Sequence, residues 1–193
     1  MGLGLAAPAA AQIFTIPPGA YRTAAAYHRR QPRPAGLDAF YPDKRGDVVV
    51  VVPKGNSREK VRFAPDSLWG YVTSKGRTRR LYHGGEYQLE AADTLAIYSG
   101  ISDPGPVGGN TGGGALVPGS YGRYAAPQFY FSRGLTGLIF PLTLRYLREA
   151  YGITNPSFIE RLGKLRFDQS LSDLDRKTGL FRITTLYREA AGR

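Results

Sequence analysis

Five consecutive valines, Val48 to Val52, form the longest uninterrupted apolar run beyond the first eleven residues. A short β-branched run between Asp47 and Pro53 predicts a central strand buried on both faces. After the turn chemistry of Lys54-Gly55-Asn56-Ser57, the stretch Lys60 to Ala64 alternates polar with apolar, as a half-buried strand does. Pro65-Asp66-Ser67 breaks the pattern, which resumes at Leu68 to Val72. Thr73 to Gly76 reads as a tight turn into Arg77 to Tyr82, and His83-Gly84-Gly85 as a second turn into Glu86 to Glu90. Thr94 to Tyr98 closes the series. Residues 46–100 are therefore expected to form an antiparallel β-meander of about six strands, as a twisted sheet or a small, partly open barrel.

The flanks carry different patterns. In residues 12–45 the X-Pro bonds at Pro32, Pro34 and Pro42 bias the preceding residues away from helix and predict an extended strap. Ala20 to Arg30 allows one short helix within it, and Tyr21, Tyr27, Phe40 and Tyr41 are apolar enough to pin it onto a body. Residues 101–127 are rich in Gly and Pro, with little to bury, and predict a mobile loop without a catalytic role. Residues 128–193 predict a strand at Gln128 to Ser132 and a helix from Pro141 to about Ala150. A second helix is signalled by Asn155-Pro156, with Phe158, Ile159, Leu162 and Leu165 at helical spacing. Ser172 can cap a third, provided that Gly179 is tolerated inside it. The fold class is α+β, with residues 46–193 as one domain.

Residues 1–11 change the picture of compartment. An apolar stretch followed by small residues at Ala9 and Ala11 matches the end of a secretory signal peptide cleaved before Gln12. The expected destination is outside the cytoplasm: periplasmic, outer-membrane-associated or secreted. There is no Cys in the chain, so no disulfide framework and no thiolate metal site can form. No apolar run approaches the roughly 18 residues of a spanning helix.

The formal net charge is +11, yet the longest basic runs are pairs: Arg29-Arg30, Lys44-Arg45, Arg79-Arg80 and Arg176-Lys177. A nucleic-acid footprint gathers its charge on one face or helix, so this spread argues for a generally basic surface instead.

Candidate chemistry is sparse. The Gly-rich stretch contains no Lys and no phosphate-loop motif. Ser57-x-x-Lys60 with Lys177-Thr178-Gly179 mimics two penicillin-binding motifs, but Ser57 sits in a hairpin turn rather than at a helix start. His28 and His83 lack metal-ligand spacing, and Glu86 and Glu90 fit a solvated strand face. No metal, cofactor or catalytic residue is expected. One constellation stands out: Trp69, Tyr71, Arg77, Arg79, Arg80 and Tyr82, in which aromatic faces sit beside cationic forks. Such a set binds a polyanion (glycan, lipid headgroup or nucleic acid) if it converges on one exposed face, and is core if Trp69 is buried and the arginines scatter.

Ile16-Pro-Pro-Gly-Ala-Tyr-Arg-Thr23, Leu68-Trp-Gly-Tyr-Val72 with Gly76 and Arg80-Leu-Tyr82, Gly85-Glu-Tyr87 and Tyr130-Phe-Ser-Arg133 together resemble a family of uncharacterised exported bacterial proteins, many from Gram-negative organisms. The resemblance covers roughly residues 13–165 and implies export and a shared fold, with no activity to transfer. The expected function is a non-enzymatic exported protein of the cell envelope, structural or interaction-mediating, with envelope components or a protein as partner. The polyanion-binding module is the alternative.

Overall fold

A computed structural model describes residues 16–64, 66–100, 128–166 and 169–192. The expected leader, residues 1–11, and the Gly/Pro-rich stretch 101–127 expected to be a mobile loop lie outside the described residues. The fold is α+β: the strands are antiparallel, they belong to two sheets, and helices gather toward the C-terminus. The sheets are open, not closed into a barrel. By its contacts the chain divides into two compact units, one ending at Thr78 and one beginning at Arg79.

The first unit holds β1 (Gly19–Tyr21), α1 (Ala24–His28), β2 (Ala39–Pro42), β3 (Val48–Lys54), β4 (Ser57–Phe63) and β5 (Gly70–Val72). The valine run is the middle strand of β2-β3-β4, and Val49 to Val52 are buried as their pattern requires. The strap is more ordered than an extended appendage. β1 pairs antiparallel with β5, and β2 pairs with β3. The expected meander is thereby interrupted after β4. Ser67 N–H closes a turn on Ala64 O, and Trp69 N–H then donates to Tyr21 O at 2.9 Å, which commits β5 to β1. The helix α1 starts where Thr23 caps it, its hydroxyl accepting from Ala26 N–H.

The second unit contains β6 (Thr78–Tyr82), β7 (Gly85–Ala91), β8 (Leu95–Gly100), β9 (Phe129–Arg133) and β10 (Phe140–Pro141), in that order across the sheet. It also holds α2 (Leu144–Tyr151), α3 (Pro156–Gly163) and α4 (Arg182–Ala190). Cross-strand partners share a face. Leu95, Ile97 and Phe131 lie on one face and form the core with Leu147 and Tyr151 of α2, Phe158 and Leu162 of α3 and Ile183 of α4. Arg80, Tyr98 and Ser132 lie on the opposite face. Rings of Tyr151, Phe158 and Tyr187 meet edge to face at 5.2–5.5 Å and lock the helices together.

Two helix boundaries differ from expectation. α2 begins at Leu144, not Pro141, because Phe140 and Pro141 pair with β9 and Thr143 supplies the cap. The last helix begins at Arg182, not after Ser172. Gly179 adopts φ of +66° in a turn that an L-residue disfavours, and Asp175 holds that turn through Lys177 and Thr178 N–H. Asn155 caps α3 as its sequence signal requires, its Oδ1 accepting from Phe158 N–H at 3.1 Å.

Candidate functional site

The six residues of the aromatic and arginine constellation divide between the two units. In the first, Tyr71 is buried and stacks on Phe40 with ring centroids 3.8 Å apart. Trp69 is half-buried against Tyr27, at 4.7 Å. Arg77 is exposed in the turn ahead of β6. In the second unit Arg79 reaches Glu86 at 3.9 Å across β6 and β7, and Tyr82 is half-buried. Arg80 is only 3% exposed. A pair of neighbours on a strand must point to opposite faces, so Arg79 and Arg80 diverge. With Tyr71 and Arg80 buried, the constellation is not an exposed cationic face.

Arg80 instead organises the interior. Its Nη1 donates to Tyr98 Oη at 3.0 Å and to Ser132 Oγ at 3.2 Å, and its Nη2 donates to Gly137 O at 2.7 Å. The guanidinium also lies over the rings of Tyr82 and Tyr98, at 5.3 and 5.6 Å. The hydroxyls of Tyr98 and Ser132 are bonded to each other, and Ser132 donates onward to Gly134 O. All three acceptors of the fork are neutral, and Arg80 makes no ion pair among the described residues. This cluster fastens β6, β8 and β9 to the turn that follows β9.

That turn forms one wall of a cleft of about 290 Å³. Gly137, whose carbonyl faces Arg80, lines it, followed by Leu138 and Phe140. A Cβ on Gly137 would sit 2.6 Å from the Arg133 carbonyl oxygen, so only glycine lets the turn close this tightly. Tyr146 and Ala150 of α2 complete the apolar lining; their spacing of four puts them on one helix face. Arg133 and Glu149 supply charge to the same cleft. Arg133 donates to Thr154 Oγ1 and lies over the Tyr151 ring, while Glu149 makes no ion pair among the described residues. Leu138 is 58% exposed. Of the five large apolar side chains exposed among the described residues, Leu138, Leu144 and Ile153 fall in this stretch of sixteen.

A second cleft, about 360 Å³, lies between Asp93 and Thr94 on one side and Tyr187, Arg188 and Ala191 on the other. Its charges satisfy each other: Arg188 Nε and Nη2 donate to Asp93 Oδ2 at 3.0 and 2.8 Å. Partial burial pushes the Asp93 carboxyl up, but hydrogen bonds from Thr94 N–H and Arg188, with the charge of Arg188, outweigh it and hold it below the usual range.

The other sequence candidates are accounted for locally. Ser57 Oγ donates to Lys54 O inside a hairpin. His83 is exposed in its turn with φ of +47°. Glu90 accepts from Gln88 Nε2 and Ser99 Oγ. Sequence reasoning missed Leu138, Phe140, Tyr146 and Glu149. The available signal was Leu138-Ile-Phe140, a short apolar run just before the expected helix start at Pro141. No protein-family model, no curated protein and no solved structure matches this chain.

Proposed function

We propose that this chain is a non-enzymatic, exported protein of the bacterial envelope that works by presenting an interaction surface. The observation that carries this reading is the apolar cleft at the β9–β10 turn and α2, beside which Leu138 stands 58% exposed. Exposed apolar side chains gathered around a concavity mark contact sites more often than they mark ordinary surface. The buried cluster at Arg80 supports the reading, because it fixes Gly137 and so the wall that carries Leu138. Export is supported by the small residues at Ala9 and Ala11 after an apolar stretch. The polyanion reading loses ground, since Arg80 spends its fork internally.

The test has two arms. Expressed with its leader in a Gram-negative host, the protein should be recovered from the periplasmic or envelope fraction with Gln12 as its first residue. Envelope association, followed by sedimentation of membranes, should fall when Leu138 is replaced by Asp and survive Arg77→Ala. An intact leader in the cytoplasm sinks export, and undiminished association of the Leu138→Asp protein sinks the surface.

A further inference from the structure

Arg133 and Glu149 line one cleft yet do not pair with each other, although both side chains are exposed. The second cleft shows the contrasting arrangement, in which Arg188 and Asp93 neutralise one another across 2.8 Å. A cleft that keeps one cation and one anion apart offers both to a partner. The same patch holds a projecting apolar side chain, Leu138, and an apolar recess floored by Phe140, Tyr146 and Ala150. Knob and hole, cation and anion are thus present together on a single surface.

That combination is what a two-fold axis requires. In an isologous contact each residue i meets j while j meets i, so a patch must be complementary to itself. A partner of uniform charge would leave either Arg133 or Glu149 facing its own sign, and a purely apolar one would cover both charges without compensation. Resting on the reading of this cleft as an interaction surface, we infer that its occupant is a second copy of this chain. Leu138 of each copy enters the recess of the other, and Arg133 of each meets Glu149 of the other. Seven lining residues are few beside the roughly 20–30 a side of a permanent interface, so the dimer is weak and concentration-dependent. The net charge of +11 opposes it, which makes physiological salt the proper condition.

Sedimentation velocity of the full mature chain, over at least two decades of concentration, tests the inference. The wild-type weight-average coefficient should rise toward that of a dimer, and Leu138→Asp should hold it at the monomer value. Glu149→Arg alone changes only an exposed helix position, and should weaken association about tenfold by placing like charges across two symmetric contacts. Adding Arg133→Glu should restore it, because the swap preserves complementarity. Circular dichroism of each variant verifies folding. A wild-type protein that stays monomeric throughout overturns the dimer; if it still associates with envelope through Leu138, the surface reading stands and its occupant is another molecule. A dimer indifferent to Leu138→Asp and Glu149→Arg also overturns the inference.

Discussion

Replacing Arg80 by methionine keeps a long apolar stem and removes the fork. Three donors disappear, but their acceptors do not suffer equally. Tyr98 and Ser132 remain bonded to each other at 3.0 Å, so their hydroxyls keep a partner. The Gly137 carbonyl, held at 2.7 Å by Nη2, loses that partner, a cost of about 1–3 kcal/mol for a partly buried group. Loss of the cation over the Tyr82 and Tyr98 rings adds about 0.5–1 kcal/mol each. Removing a buried cation that faces only neutral acceptors returns part of this, on the order of 1–2 kcal/mol. These terms centre on a net loss of about 2 kcal/mol for Arg80→Met. Arg80→Ala removes the stem as well and should cost about 3–5 kcal/mol. Urea titration followed by far-ultraviolet circular dichroism reads both. The midpoint should fall while the slope is kept. A methionine variant as stable as the wild type, or more so, would refute the argument, since the cation would then be a net burden and the cluster no tether.

Other perturbations follow from the same contacts. Trp69→Ala should cost about 2–3 kcal/mol, below the figure for a fully enclosed Trp because the ring is only half-buried, and thermal unfolding measures it. Asn155→Ala should cost about 1 kcal/mol through loss of the α3 cap, and Asn155→Gly only a few tenths, by the same urea assay. Burial, reinforced by the neighbouring Tyr27, pushes the Tyr21 hydroxyl up to about 12, and burial also raises that of Tyr151. A raised folded value means stability is intact below the unfolded value of about 10 and lost as pH climbs toward 12. Absorbance at alkaline pH should show a late-titrating tyrosine fraction that diminishes in Tyr21→Phe.

Periodicity made the regular elements legible. The valine run announced β3, the Asn155-Pro156 pair announced α3, and the turns at Gly76 and Gly84 separated β5, β6 and β7 at nearly their observed limits. What it could not reveal was partner choice. Nothing local distinguishes a β5 that continues a meander from one that pairs with Gly19–Tyr21, because that decision lies in long-range hydrogen bonds. Arg80 illustrates the same limit at the candidate site. An arginine next to Tyr82 reads as a binding fork, and only the approach of Ser132 and Gly137, more than fifty residues away, shows its two terminal nitrogens to be engaged. The cleft was hidden for a third reason: its apolar lining resembles core, and exposure is not written in hydropathy.

The brevity of β10 has a consequence of its own. Leu142 N–H donates inward to Phe129 O, so by alternation the amide of residue 141 faces away from β9. That position is proline, which has no hydrogen to offer. The outermost strand of the second unit thus presents a blunted rim, two residues long, to any stray extended chain. Sheets left open at an edge are the ordinary templates for fibril growth. This one is closed to such growth on its β10 side by a single imino acid, and a Pro141→Val protein should form thioflavin-positive aggregate on heating sooner than the wild type.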